Sequence, residues 1–274
     1  MRWVKKWLLA NGFALFLIFI NIDLARGQAV AMAIPQSGKK LIQPIELNRV
    51  VANPAFQVGE CLKFVIRYGP VRAGFAYLEI TEIVEINGRF CYHVVSRAES
   101  NDFFSSFYKV RDRVESLIDT TGIFPWRFEK HLREGKYSAD IVNIFNQANR
   151  LVVTRRDTTV VPPYVQDVLS AMYYVRTQPL ELGQSLSVDN FSDGKNYPLE
   201  VKVHKREKVR IEAGKFSCIV VEPILKSTGL FQQKGTLKVW LTDDAAHMPV
   251  LMKSEIVIGS IIAELIEYKG VSLP

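Results

Sequence analysis

From Phe56 onward, apolar and polar residues alternate in short β-branched and aromatic runs broken by turn residues, the pattern of an antiparallel all-β domain. The clearest local signal is Asn87-Gly88, set between Phe75 to Ile86 and Arg89 to Ala98. Asn-Gly adopts the positive φ values of a two-residue hairpin turn. That turn predicts Ile86 opposite Arg89, Val84 opposite Cys91, Glu82 opposite His93 and Thr81 opposite Val94. Ala76, Leu78, Ile80, Val84 and Ile86 then share one face. Phe75, Tyr77, Ile83, Phe90, Tyr92 and Val94 lie on the other, so both sides of the sheet have apolar material to cover.

The next strand predicts Phe104, Tyr108, Val110, Val114 and Ile118 on a dry face and Lys109, Arg111, Arg113 and Glu115 on a wet one. Asp119 to Gly122 and Glu134-Gly135 turn the chain through Phe124 to Leu132 and Tyr137 to Phe145. Asn146 to Asn149 lead into Leu151 to Thr154. Neighbours in sequence therefore pair in space. One helix is predicted near 165–177, after Pro162-Pro163 and before Pro179, where Val168, Leu169, Ala171, Met172 and Tyr173 form a helical stripe. Strands resume as Leu199 to Glu212, Phe216 to Leu225, Thr236 to Leu241, Val250 to Ile258 and Ile261 to Tyr268. The fold class expected is all-β and mainly antiparallel: a strongly curved sheet or open barrel-like meander with one packed helix.

The amino terminus follows a different pattern. Arg2, Lys5 and Lys6 precede the apolar run Phe13 to Ile20, and Ala29-Val30-Ala31-Met32-Ala33 follows. Residues 1–33 read as a signal peptide cleaved after Ala31 or Ala33, with an uncleaved inner-membrane anchor as the alternative. Residues 34–55 read as a flexible lead-in, and 56–274 as the β domain. Export places that domain in the periplasm. Loss of residues 1–33 leaves 31 Lys+Arg against 27 Asp+Glu, so the net charge falls from +7 to +4, and weak attraction to anionic surfaces follows. Cys61, Cys91 and Cys218 allow at most one internal bridge. Cys61 and Cys91 fall on strands separated by a third, about 9 to 10 Å apart, too far to bond.

Candidate chemistry is sparse. No Gly-x-Ser-x-Gly elbow, phosphate-cradling glycine loop, Cys-x-x-Cys or His-Glu-x-x-His run is present, so no catalytic residue, metal or cofactor is assigned. Asp112 shares a face with Val110 and Val114, and a carboxylate in an apolar row requires a partner. An arginine or lysine from another strand, or backbone donors, is expected beside it. It then serves either as a polar anchor in a ligand cavity or as a pair that sets strand register. Glu82 and His93 form a cross-strand pair. Asp189, Asp193 and Gly194 lack the acidic spacing of a calcium loop and read as a turn-rich loop. Lys109, Arg111, Arg113, Arg127, Lys130, Arg133 and Lys136, with Phe107, Trp126 and Tyr137, suggest a basic aromatic surface tempered by Glu115, Glu129 and Glu134.

Several segments carry a family resemblance: Val58-Gly59-Glu60, Ala73-Gly74, Lys109 to Asp112 with Glu115-Ser116, Asp167 to Ala171, Ala213 to Phe216 with Cys218, Val239 to Leu241 with Asp243-Asp244, and Pro249-Val250. Across Phe56 to Tyr268 the chain resembles the bacterial envelope family designated domain of unknown function 3108. The resemblance implies an exported antiparallel β domain and brings no active site. The architecture is also similar to envelope lipoprotein carriers, whose curved sheet wraps a helix; that is a fold-level analogy. The expected function is a non-catalytic envelope protein that holds an apolar or amphiphilic ligand in a sheet/helix groove lined by Phe104, Tyr108, Asp112, Val168, Met172 and Trp240. The alternatives are a glycan- or lipid-acting hydrolase using Asp112, Glu82 and His93, and an interaction protein with a filled core. Partner classes are lipid or glycan and another envelope protein, with nucleic acid excluded by export.

Overall fold

A computed structural model of the protein describes residues 44–225, 236–255 and 259–271. The expected signal peptide and the first part of the lead-in lie outside the described residues. Among the described residues, fourteen strands form one antiparallel sheet. In chain order they are β1 (Cys61–Tyr68), β2 (Val71–Ile86), β3 (Arg89–Ser100), β4 (Arg111–Asp119), β5 (Pro125–Glu134), β6 (Tyr137–Asn146), β7 (Leu151–Val153), β8 (Thr158–Val160), β9 (Ser185–Ser192), β10 (Lys195–Ile211), β11 (Gly214–Leu225), β12 (Thr236–Thr242), β13 (Pro249–Glu255) and β14 (Ser260–Lys269). A short helix α1 (Asp102–Ser105) and a longer helix α2 (Val168–Arg176) interrupt them. The spatial order runs from β8 down to β1, then β14 down to β9. Two meanders are thus joined where the first and last strands pair, as Leu62 with Tyr268 and Ile66 with Ala263.

The Asn87-Gly88 turn forms as expected, with both residues at positive φ and with Glu82 opposite His93. One register differs: Ile80, not Thr81, faces Val94, because Thr81 is the extra residue of a bulge. Register shifts also occur in the β1/β2, β4/β5, β10/β11 and β12/β13 pairings. Each bends its strand and increases the local twist, which lets the long sheet coil around α2. Phe145 of β6 packs edge-on against Phe191 of β9, with ring centroids 6.1 Å apart, so the two ends of the sheet meet through side chains. The β9 strand was not expected: Asp193-Gly194, read as a loop, is a two-residue hairpin turn with both residues at positive φ.

Helix α2 is buried on nearly all sides, as an apolar helix enclosed by a sheet must be. Asp167 caps it by accepting from the Ser170 backbone N–H at 2.8 Å, while the Ser170 hydroxyl accepts from the Asp167 N–H at 2.9 Å, a capping box built with serine. The Ser116 hydroxyl of β4 donates to Asp167 at 2.6 Å and ties this end to the sheet. At the other end Arg176 forms two bonds to Glu60, of 2.6 and 2.7 Å. It also donates to the carbonyls of Ala55 (3.1 Å) and Ala246 (3.2 Å). Both side chains of the pair are fully enclosed. Burial opposes the Arg176 charge, but the Glu60 carboxylate outweighs it and raises the guanidinium's proton affinity above its ordinary value.

The described part of the lead-in is docked rather than loose. Arg49 donates to the carbonyls of Gly122 and Ile123 at 2.8 and 2.9 Å and stacks on Tyr164 and Tyr174. The three cysteines are free, with Cys91 and Cys218 buried.

Breaking a buried pair by removing one partner leaves an uncompensated charge and costs about 3–5 kcal/mol. Arg176→Met is therefore expected to lower the urea unfolding free energy by about that much. The double variant Glu60→Leu/Arg176→Met is expected to recover at least half of the loss. A single variant as stable as the parent contradicts this role.

Candidate functional site

The edge strands β7 and β8 are three residues each, and β7 pairs only with Ile144 to Asn146 of β6. The stretch of β6 from Tyr137 to Asn143 therefore has no strand on its outer side among the described residues. Across from it lies β9 with its hairpin turn. Between them a cleft of about 1040 Å³ opens. Its floor is Phe128 of β5, Val168 of α2 and Phe191 of β9, with Ile141 on the β6 wall. Thr154 to Asp157, the β7–β8 turn, form its mouth. The bridge from Lys130 to Asp193 spans it at 3.8 Å.

Lys130 is buried because it alternates in phase with Phe128, Leu132 and Glu134, all turned inward on β5. The basic surface expected from the sequence thus loses Lys130 and Glu134 to the interior. Arg113 and Arg127 remain outside, paired with Glu115 and Glu129, and Arg133 pairs with Asp140. Burial lowers the Lys130 proton affinity, while Asp193, Glu134 and Asp112 oppose that effect.

Asp112 lies inward on β4, and the expected partners are present: it accepts from the Arg133 backbone N–H at 2.7 Å, with Lys130 contributing charge. It also meets Glu134. Asp112 Oδ2 and Glu134 Oε1 are buried with no protein donor, so the two carboxyls bond each other only when one carries a proton. Burial, assisted by the charge of Glu134, pushes Asp112 up to about 7, against the Arg133 N–H. Burial also raises Glu134. Tyr108 completes the cluster beside Glu134, and burial takes its hydroxyl up to about 12. The Tyr108 ring lies over Gly135, where a Cβ would come within 2.7 Å of it and where φ is +58°. That turn consequently requires glycine.

The six residues expected to line one groove are divided. Phe104 is in α1 rather than on a strand, and with Tyr108 it joins a separate small cluster around Ala73 and Val110. Asp112 belongs to the carboxyl cluster, and Val168 lines the cleft. Met172 faces β10–β13, where the space beside Val201, Val239 and Leu241 is only about 30 Å³, so the expected sheet/helix groove is nearly filled on that side. Trp240 alternates against Val239 and Leu241 and donates from Nε1 to Glu207 at 2.6 Å instead. Phe128, Lys130, Ile141, Phe191 and Asp193 are cleft residues that were not proposed from the sequence; the Asp193-Gly194 hairpin signal and the phase of β5 were the means of finding Asp193, Phe128 and Lys130.

Glu82 and His93 are cross-strand neighbours 3.6 Å apart, but the tighter partner of His93 is Glu115, at 2.7 Å. All three line a second concavity of about 770 Å³ with Leu117, Arg127 and Glu129. Asp112 lies on the opposite face of the sheet, buried beside Glu134. The hydrolase site that combined it with Glu82 and His93 therefore does not assemble. No group of three or more His, Cys, Asp or Glu residues suited to a metal ion occurs among the described residues.

An open, strongly coiled antiparallel sheet around one buried helix defines a β-barrel-like class of protein. The chain belongs to the family described as protein of unknown function DUF3108, whose model matches residues 63–266. The fold is similar to that of a crystallised β-barrel-like protein of domain of unknown function DUF1849 from Brucella abortus, with 9% identity, a TM-score of 0.54, and 80% of this chain and 100% of that one covered. More distant likenesses include a Bacteroides fragilis protein of YmcC-like fold whose name gives export as provisional, with 13% identity, a TM-score of 0.32 and coverage of 80% and 99%. Another is a Parabacteroides distasonis protein with a provisional lipoprotein name, with 9% identity, a TM-score of 0.37 and coverage of 81% and 100%. A search of curated proteins finds no match. No helix among the described residues is long and apolar enough to cross a membrane.

An acid whose folded-state proton affinity is raised contributes stability below its unfolded pKa and loses it as pH rises through the folded one. For Asp112 that window runs from about 4 to about 7, and Asp167, pushed up to about 6 by burial, acts in the same direction. The salt-bridged Glu115 and Asp119 are shifted down and act below it. The melting temperature is therefore expected to fall between pH 5 and pH 8. Asp112→Asn, which can still donate to Glu134, is expected to flatten that fall and to be more stable than the parent at pH 8 by at least about 1 kcal/mol. Identical slopes for the two proteins contradict the shared proton.

Proposed function

We propose that this is an exported, non-catalytic envelope protein that holds an amphiphilic ligand in the cleft between β6 and β9. The carrying observation is the cleft itself. At about 1040 Å³ it lies at the upper end of the size range of small-molecule sites, which are concave and combine apolar lining with polar groups that fix orientation. Phe128, Ile141, Val168 and Phe191 supply the apolar part of the lining, and the rest is polar, with Lys130, Asn143 and Asp193 inside and Arg155, Arg156 and Asp157 at the mouth. The nearly filled space at Met172 favours this location over the one between α2 and β10–β13. Arg2, Lys5, Lys6 and the apolar run that follows support a periplasmic setting.

Ile141→Trp is expected to fill the cleft and weaken binding of a fluorescent long-chain acyl probe at least tenfold, with the melting temperature within a few degrees of the parent. Leu117→Trp, in the outer concavity, is expected to leave the probe affinity unchanged. Equal loss in both variants, or no probe binding by the parent, overturns the assignment. Amino-terminal sequencing of the protein recovered from the periplasm is expected to begin at Met32 or Ile34.

A further inference from the structure

The far part of the β10–β11 hairpin is set apart by its charge. β9 pairs with β10 only as far as Lys202, and β12 pairs with β11 only from Cys218 to Val221, so the hairpin runs on past both neighbours as a two-stranded ribbon. Val209, Ile211 and Phe216 pack one face of the ribbon onto the core. Lys208, Arg210 and Lys215 lie exposed on the other, and none of them has a side-chain hydrogen bond or ion pair among the described residues. Arg210 stands directly opposite Lys215, a like-charge pair that costs stability. Arg206, in the same row, is held by Asp243 at 2.8 Å.

The tip of this ribbon adjoins a patch of exposed rings. Glu212, in the turn, accepts from the Arg72 side chain at 2.8 Å. The Arg72 carbonyl accepts from Asn101 Nδ2 at 2.7 Å, and Asn101 caps α1 by accepting from the Phe104 N–H at 2.9 Å. From α1 and the residues after it, Phe103 and Phe107 stand 69% and 48% exposed, with their ring centroids 5.5 Å apart. Val71, next to Arg72, is exposed as well. Apolar groups gathered in water at one place mark a contact surface. Lys109 and Lys136 flank the rings, exposed and unpaired among the described residues, against one unpaired acid, Asp102. The other charges here cancel in pairs: Arg206 with Asp243, Arg72 with Glu212, and Arg111 with Glu99. The surface as a whole is therefore cationic. Unpaired cations beside exposed rings suit an anionic phospholipid bilayer, which offers phosphate to the first and an apolar boundary layer to the second. A soluble polyanion would satisfy only the cations.

We infer that the β10–β11 tip and α1 dock the protein on an anionic phospholipid bilayer, with Phe103 and Phe107 entering the interface and Lys208, Arg210 and Lys215 meeting headgroup phosphates. This surface is separate from the cleft and does not depend on what the cleft holds. Because its groups stand outside the core and three of its cations repel one another, removing those charges leaves the fold intact.

The test uses vesicles of phosphatidylglycerol and phosphatidylcholine in equal parts, with bromine on the acyl chains as a contact quencher of tryptophan fluorescence. Phe103→Trp, and likewise Phe107→Trp, is expected to add emission that these vesicles quench by at least half. Phe90→Trp, exposed near the opposite end of β3, is expected to add emission that they leave unchanged. The signal belongs to the substituted position, so binding through the amino-terminal apolar run does not produce it. Adding Lys208→Gln/Arg210→Gln/Lys215→Gln to Phe103→Trp is expected to weaken vesicle binding at least tenfold at low salt, since each basic group near an anionic surface contributes attraction, with a melting temperature no lower than before. Vesicles of phosphatidylcholine alone are expected to bind at least tenfold more weakly. Equal quenching at positions 103 and 90, quenching at neither, or equal binding to the two kinds of vesicle overturns the docking surface. Binding of soluble polyphosphate without vesicle quenching in Phe103→Trp shows a polyanion surface and overturns the bilayer.

Discussion

The buried bidentate pair between Glu60 and Arg176 fixes the interior of this molecule. Glu60 lies just before β1, the strand that closes onto β14, and Arg176 ends the helix that the sheet surrounds. The arginine also donates to the carbonyls of Ala55 and Ala246, and His247 Nδ1 lies 2.8 Å from the Arg176 carbonyl. One side chain therefore joins the entry to the first meander, the end of the helix and the β12–β13 connection. With the far end held by Ser116 and Asp167, the helix is tied to the sheet at both ends. An apolar contact can slide, whereas a desolvated charge pair has one geometry.

The position of the helix decides where space remains. Ala171, Met172 and Val175 press against β10–β13 and leave only about 30 Å³ there. On the other side the curved sheet stops short, because β7 and β8 cover only the last residues of β6. The cleft follows from strand length. Its lining follows from the period of two along β5, which turns Phe128, Lys130, Leu132 and Glu134 inward together. The same period sends Glu129, His131 and Arg127 into the charge network on the outer surface. The two faces of one strand thus carry different electrostatics: a few costly buried groups inside and inexpensive paired ones outside.

Much of the fold was legible in the sequence because it rests on local signals. The Asn87-Gly88 turn, the Asp167 to Arg176 helix bounded by prolines, and the meander order each follow from neighbouring residues. The bulge at Thr81 was not legible, since nothing in a strand's alternation marks where an extra residue will sit. Asp112 was identified by an acid out of phase with its arginine neighbours, and its backbone donor was anticipated in kind. Glu134 was not, because its pairing with Asp112 requires the β4/β5 register, and Tyr108 requires the turn at Gly135. The groove expected from Phe104 to Trp240 dispersed because Phe104 entered a one-turn helix and Trp240 took the opposite phase from Val239. Lys130 was misplaced through being counted with its basic neighbours rather than by its parity.

The most direct measurement is a crystal structure of the protein with a long-chain fatty acid brominated along its tail, read by the anomalous signal of bromine. Bromine peaks are expected between β6 and β9, within contact of Phe128, Ile141 and Phe191. Peaks beside Met172 and Val239, peaks in the outer concavity at Leu117, or none on the protein under saturating ligand would contradict it.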